Sequence, residues 1–281
     1  MSKLIRDFYI VNFLIKKCQQ ILKSLNIGVT TASNLTRLQA TALDKSKSDL
    51  LFIRAMGESH YGHLLKLLDE SQSQLRQDLM VLAHTNYKRG GYFVEFGATN
   101  GILLSNSYLL EQKYGWSGIL AEPGRIWESE LRKNRPNAII STSCVWDLSN
   151  QMLTFIENQD AELSTVQLFH KKKSNRLRYG IASSFKVKTV SLMDLLVENK
   201  APKYIDYLSI DTEGSEFRIL QSFDFSKFSF GVITVEHNYG VDRERLYNLL
   251  SKAGYVRCFE DVSKWDDWYL SKHLLYNHKY R

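Results

Sequence analysis

From residue 90 onward the chain alternates short apolar runs with stretches of helical periodicity; before that point it reads as mainly helical. "GYFVEFG" is the first apolar run and is followed by the helical "ILLSNSYLLEQKYG"; "GILAEP" is followed by "RIWESELRKN". "AIISTSCVW" reads as a third strand, and "QMLTFIEN" with "FKVKTVSLMDLL" as an inserted antiparallel pair leading into a short helix. "IDYLSID" and "FGVITVEHN" are further strands, each with a helix behind it, and "YVRCFED" and "DDWYLSK" close the series. This rhythm predicts an α/β fold: a doubly wound, mainly parallel sheet with right-handed crossovers and an antiparallel edge strand.

Residues 1–85 are expected to form an N-terminal helical extension, and residues 86–281 the sheet domain. Leu4, Phe8, Val11, Ile15 and Leu22 recur at helical spacing, but Arg6, Asp7, Asn12, Lys16 and Lys17 break the stretch, so no membrane span is expected. An amphipathic helix of this kind suits docking on its own domain or on a second copy, ahead of lying on a membrane surface, which makes a homodimer an expectation. The polar "TTASNLTRLQATALDKSKSD" is expected to be weakly helical or poorly ordered. Leu64, Leu67, Leu68, Leu75, Leu79 and Leu82 then restore helical periodicity.

Composition narrows the class. An apolar fraction of 44% in 281 residues sustains a sizeable core, and a net charge of +7 fits an anionic substrate or a membrane surface. No basic stripe interleaved with aromatics is visible, so a nucleic-acid partner is not expected. Cys18, Cys144 and Cys258 lie far apart without metal-type spacing, which predicts reduced thiols and a cytoplasmic protein. "HKKKSNRLR", with Lys171 to Lys173, Arg176 and Arg178, interrupts the strand–helix rhythm. It reads as an exposed basic loop, either plain solvated surface or a cover for an acidic acceptor.

In such a sheet the parallel strands end at one edge, where ligands bind. That edge would gather Glu95, Gly97, Glu122, Cys144, Asp211, Glu213, Glu236 and His237 from across the sequence. Glu122, at the end of its strand, is placed to accept hydrogen bonds from two ribose hydroxyls. The run Gly97-Ala98-Thr99-Asn100-Gly101 lacks the middle glycine that lets a pyrophosphate approach. A ligand with a ribose and no pyrophosphate fits better than a dinucleotide, and S-adenosylmethionine is such a ligand; a dehydrogenase is disfavoured on the same ground.

The blocks "FVEFGATNGILLSNSYLLEQKYGWSGILAEP", "TVSLMDLL", "IDYLSIDTEGSEFRIL" and "VITVEHN" closely resemble the FkbM family of S-adenosylmethionine-dependent methyltransferases, over about residues 73–272. The resemblance implies a class I, Rossmann-like methyltransferase fold. It also implies O-methylation of a hydroxyl on a sugar, glycoconjugate or secondary metabolite, so the partner would be a small-molecule or carbohydrate acceptor. By motif position, Glu95, Gly97, Ala98 and Gly101 would cradle the methionine part of the cofactor, Glu122 would hold the ribose, and Cys144 and Val145 would border the adenine. Asp211 is counted with them as a cofactor-binding residue. Glu95 stands where many relatives carry Asp. Gln77 and Asp78 in "SQLRQDL" also match a block in many relatives, to which no role attaches.

Transfer to a hydroxyl needs alignment with the sulfonium methyl and a proton acceptor or a Lewis-acidic metal. Asp211, Glu213 and His237 are the catalytic candidates, with Glu236 beside them. Asp211, Glu236 and His237 are also a candidate set for Mg²⁺ or another divalent cation. Glu213 and Glu216 have a plainer use as acids at a helix N-terminus. Trp265, Trp268 and Tyr269 are candidates for stacking on a sugar ring, or for core packing. Two rival classes are a nucleic-acid methyltransferase of the same fold and a non-catalytic binding subunit. "DTEG" in place of an Asn/Asp-Pro-Pro-aromatic run speaks against the first, and the intact Glu122 and Asp211 speak against the second.

Overall fold

Strand β1 (Tyr92–Phe96) carries four buried residues out of five, as a strand covered on both faces requires. It lies inside a seven-stranded sheet in a computed structural model that describes residues 32–170 and 180–279. On one side β1 pairs in parallel with β2 (Ser117–Ala121), which pairs with β3 (Ile139–Ser141). On the other side it pairs in parallel with β8 (Tyr204–Ile210), which pairs with β9 (Ser229–Glu236). The order reverses between β1 and β8, and that switch point opens a crevice beyond the strand ends.

The mainly parallel, doubly wound sheet with an antiparallel margin is as the sequence predicts. The antiparallel strand is β11 (Asp266–Ser271), which runs between β9 and the edge strand β10 (Tyr255–Cys258). The third strand differs from expectation. "AIISTSCVW" breaks after Ser141, and β4 (Cys144–Trp146) joins a second sheet with β5 (Met152–Asn158), β6 (Thr165–Val166) and β7 (Ile181–Ser191). Within it β5 and β7 form the expected antiparallel pair.

Helices cover both faces of the large sheet. On one face Leu192, Leu195 and Leu196, Ile219 and Leu220, and Leu246 and Leu250 pack against Val94, Phe96, Leu208, Ile210, Ile233 and Val235. On the other, Leu64, Leu67 and Leu79 to Ala83, with Leu109, Leu110 and Leu131, pack against Phe93, Leu120, Tyr207, Val232 and Trp268. The helix α3 (Gln77–His84) lies wholly inside this second layer, with every residue from Gln77 to Ala83 buried.

The chain divides into two units, residues 1–48 and 49–281. The expected boundary near residue 85 is therefore too late: Phe52, Ile53 and Met56, Leu64, Leu67 and α3 belong to the core of the sheet unit. The polar stretch expected to be weakly helical or poorly ordered lies, from Ala32 on, in α1 (Ala32–Met56), a 25-residue helix, and α2 (Tyr61–Leu67) follows it. The helix expected over residues 4–22 and the basic loop at 171–178 lie outside the described residues. No helix among the described residues is long and apolar enough to cross a membrane.

Candidate functional site

The strand ends and the second sheet together enclose a cleft of about 600 Å³, in the size range of small-molecule sites. On the α3 side of the sheet two rows of side chains cross it. Pairing places Glu95, Ser209, Thr234 and Trp268 in one row. One pleat further out come Gly97, Asp211, Glu236 and Asp266, since Glu236 pairs with Asp266 and the residues after β1 and β8 meet. Of these, Glu95, Gly97, Ser209, Asp211, Thr234, Glu236 and Asp266 line the cleft.

Glu95 is 3% exposed, and its carboxylate is fixed from behind. It accepts from the Asn106 amide at 2.7 Å, from Ser105 Oγ at 3.1 Å and from Ser107 Oγ. Both serines are held in turn by Arg135, fully buried at the end of α5 (Arg125–Asn134). Its guanidinium donates to Ser107 Oγ at 2.9 Å, Ser105 Oγ at 3.2 Å, the Gly101 carbonyl at 3.0 Å and Glu111 at 2.7 Å. One ion pair thus organises the whole loop after β1.

The two glycines of that loop serve different ends. A Cβ on Gly97 would stand 2.2 Å from the Asp211 carbonyl oxygen, so glycine is what lets β1 and β8 end side by side at the crevice. A Cβ on Gly101 would meet Arg135 Cγ at 2.6 Å and Leu131 Cδ1 at 2.8 Å. Gly101 therefore makes room for Arg135 rather than for a ligand. Ala98 is 1% exposed within the core, and neither residue lines the cleft.

Glu122, just past β2, accepts from the Gly124 amide at 2.7 Å on one oxygen and from the Thr99 amide at 3.0 Å on the other. Each oxygen keeps a second lone pair for a ligand hydroxyl. Burial pushes its pKa up to about 7, with Glu157 adding in the same direction and the two amides opposing. Cys144 and Val145 line the neighbouring wall, from β4 of the second sheet rather than from the third strand of the large one. Burial, with the Glu122 charge nearby, pushes the Cys144 thiol up to about 12, so it stays a neutral wall. Trp127 and Phe155 complete this end.

Across the switch point, carboxylate oxygens of Asp211, Glu213 and Glu236 lie within 4.8 Å of one another. Glu213 adopts φ +62° and its carbonyl accepts from Thr165 Oγ1 at 3.1 Å. The turn that holds it is tied by Glu216, whose Oε1 accepts from the amides of Thr212 and Gly214 at 3.1 and 2.9 Å. Glu216 is thus the structural acid of the pair, and Glu213 faces the cleft.

His237 is not part of this group. Its side chain is fully buried and does not line the cleft. Nδ1 accepts from the Tyr239 amide at 2.9 Å, and Nε2 lies 3.5 Å from Asp267 Oδ1. The reason is the pleat: successive strand residues face opposite sides, so Glu236 at the cleft sends His237 away from it. Burial holds the imidazole below its usual pKa despite Asp267, whose charge is shared with Arg243 at 2.7 Å and Arg257 at 3.4 Å.

Residues 95–266, more than half of the chain, match the family model described as the methyltransferase FkbM domain. The chain belongs to the FkbM methyltransferases. It is an S-adenosylmethionine-dependent methyltransferase. No curated protein matches it. Among solved structures, it is similar to a precorrin-6y C5,15-methyltransferase from Geobacter metallireducens GS-15, at 10% identity and TM-score 0.37, over 64% of this chain and 72% of that one. It is also similar to a TehB-like S-adenosylmethionine-dependent methyltransferase from Corynebacterium glutamicum, at 9% identity and TM-score 0.37, over 76% and 97%. A third similarity is to MtNAS in complex with MTA and tNA, at 11% identity and TM-score 0.36, over 91% and 80%. The family assignment rests on the match over residues 95–266.

The FkbM-family cleft therefore gathers Glu95, Gly97, Glu122, Cys144, Val145, Asp211, Glu213 and Glu236, and leaves out Ala98, Gly101 and His237. The lining residues with buried polar side chains that were not among the expected site residues include Gln77 and Asp266, besides Ser209, Ser215 and Thr234. Gln77 Nε2 donates to Asp266 Oδ2 at 2.8 Å across 189 residues of sequence. Burial pushes Asp266 up to about 6, with Asp267 and Glu216 adding and Gln77 opposing. Asp78, beside Gln77, turns the other way: it accepts from Ser71 Oγ at 2.7 Å and from the Leu79 amide, fixing the start of α3. Of the aromatic trio, Trp265 lines the cleft, and Trp268 and Tyr269 are core.

Proposed function

We propose that this methyltransferase transfers the methyl group to a hydroxyl oxygen of a carbohydrate-type acceptor. The observation that carries this reading is the division of the cleft. One end has a carboxylate with free lone pairs beside apolar walls, at Glu122, Cys144, Val145 and Trp127. The other has carboxylates in a row with one tryptophan, at Asp211, Glu236, Asp266 and Trp265. The first suits a ribose and an adenine, and the second suits a group rich in hydrogen-bond donors.

Bound S-adenosylmethionine supplies an activated sulfonium methyl. On this reading Glu95 and the open edge at Gly97 take the methionine part, and Glu122 takes the ribose hydroxyls. As the acceptor oxygen bonds to the methyl carbon, the carbon–sulfur pair stays on sulfur. The hydroxyl proton passes to a carboxylate of the Asp211–Glu213–Glu236 group. His237 takes no part.

The same three carboxylates each offer a hard oxygen donor, the chemistry that suits Mg²⁺. Asp211, Glu213 and Glu236 would hold such a cation, replacing the set with His237, and it would acidify the acceptor hydroxyl.

The experiment is methyl transfer from radiolabelled S-adenosylmethionine to a panel of methyl glycosides, amino sugars, glycolipids and RNA, with Mg²⁺ or with EDTA. Label in the sugar ethers supports the reading; label only in RNA or in amine nitrogen overturns it. Equal rates in EDTA remove the cation.

A further inference from the structure

The segment before β1 contributes Gln74 and Gln77 to the cleft, and the chemistry above uses neither. Gln77 is 4% exposed and Asp266 is 6% exposed, yet both line the cleft. Gln77 is locked in orientation: its Oε1 accepts from the Leu75 amide at 2.9 Å, which points Nε2 at Asp266 Oδ2, 2.8 Å away. A buried glutamine spent on holding a carboxylate is costly unless that carboxylate must keep one geometry.

The position of the pair follows from the sheet. Strands run in the order β1, β8, β9, β11, at a spacing of about 4.8 Å. Asp266, the first residue of β11, therefore stands about 10 Å from β8, which Asp211 follows, and farther still from β1. Its pairing partner Glu236 stands between it and Asp211, so it faces a part of the acceptor beyond the reacting oxygen. Trp265 lines the cleft next to it, with its carbonyl held by the His237 and Asn238 amides at 2.9 and 3.1 Å.

We infer that Gln77, Asp266 and Trp265 form a recognition subsite for a neutral, hydroxyl-bearing ring of the acceptor, one ring away from the oxygen that is methylated. An ionised carboxylate only accepts hydrogen bonds, so its partner must donate, as a hydroxyl pair does. The adjacent indole offers a flat apolar face for the ring's C–H side. A phosphate or carboxylate at this position would meet like charge, and no Lys, Arg or His is found among the described residues that line the cleft. This inference rests on the division of the cleft into a cofactor half and an acceptor half.

Binding to the enzyme loaded with S-adenosylhomocysteine tests it without turnover, so failure of hydroxyl methylation and failure of the subsite are read separately. Methyl α-D-glucopyranoside, glucose 6-phosphate and glucuronate are titrated by NMR at matched ionic strength. The glycoside is expected to bind, and the two anions at least about tenfold more weakly. Asp266→Asn should weaken the glycoside about tenfold with S-adenosylhomocysteine affinity unchanged. Gln77→Met, which keeps Asp266 and frees its orientation, should weaken it severalfold, and it decides the matter if Asp266→Asn does not fold. The inference is overturned if the wild type does not bind the glycoside, if the anions bind as well, or if neither variant changes the affinity.

Discussion

Gly97 and Asp211 touch through their main chains: a Cβ at residue 97 would stand 2.2 Å from the Asp211 carbonyl oxygen. The backbone there also has φ +75°, which L side chains disfavour. The close approach is what brings the Asp211 carboxylate to the crevice beside the loop after β1.

Gly97→Ala should therefore push β1 and β8 apart at their ends. We expect a lower Tm and at least about a tenfold loss of S-adenosylhomocysteine affinity, from backbone strain and a displaced loop. Calorimetry checks this. Wild-type affinity in a folded variant would mean that the ligand does not lie across this switch point.

Arg135 is the support of that loop, with its guanidinium on Glu111, Gly101, Ser105 and Ser107 and none of it exposed. Arg135→Leu leaves Glu111 buried and unpaired, which costs about 3–5 kcal/mol. It also frees the serines that fix Glu95. Urea denaturation should show that loss. Ser107→Ala is the milder probe, removing one charge-assisted bond to Glu95 at about 1.5–3 kcal/mol. A stability change below that range would mean that water replaces the serine.

What could be read from the sequence follows from periodicity and its limits. The strands of the large sheet were legible because a strand buried on both faces is predominantly apolar, as in "YFVEF" and "YIDYLSI". The break between Ser141 and Cys144 was not, because two small polar residues, Thr142 and Ser143, carry no strong turn signal. Glu236 and His237 look like partners in sequence, and the pleat sends them to opposite faces. Asp266 was missed because an antiparallel strand brings its start, not its end, to the ligand edge. Gln77 was visible as a motif residue, but its partner lies 189 residues away.

Glu122 makes cofactor binding depend on pH. Its pKa stands at about 7 in the free protein, above the usual carboxylate value, because burial disfavours the charge. Ribose hydroxyls donate to both oxygens, and more strongly, when the carboxylate is ionised. S-adenosylhomocysteine should bind with full affinity above about pH 7 and weaken as pH falls through that value, with a proton released on binding near pH 6. Calorimetry in two buffers of different ionisation enthalpy measures that proton. Glu122→Gln should weaken binding by about 1–3 kcal/mol and abolish the proton release. Release that persists in the variant would assign the proton to another group.

The last prediction separates the carboxylates from His237. The imidazole is buried, and it organises the turn after β9 by accepting from the Tyr239 amide. Its pKa is lowered in the fold, so the unfolded chain binds the proton first. The stability it contributes is complete above its ordinary value of 6.5 and is lost as pH falls below it. His237→Asn should remove part of that acid-side loss of Tm and leave the pH profile of turnover unchanged. Asp211→Asn or Glu236→Gln should instead lower turnover by about a hundredfold or more, with S-adenosylhomocysteine affinity kept, since each carboxylate is placed to take the acceptor proton. If His237→Asn abolishes turnover in a folded, ligand-binding protein while Asp211→Asn and Glu236→Gln do not, the proton goes to the histidine after all. The turn after β9 would then have to rearrange during the reaction.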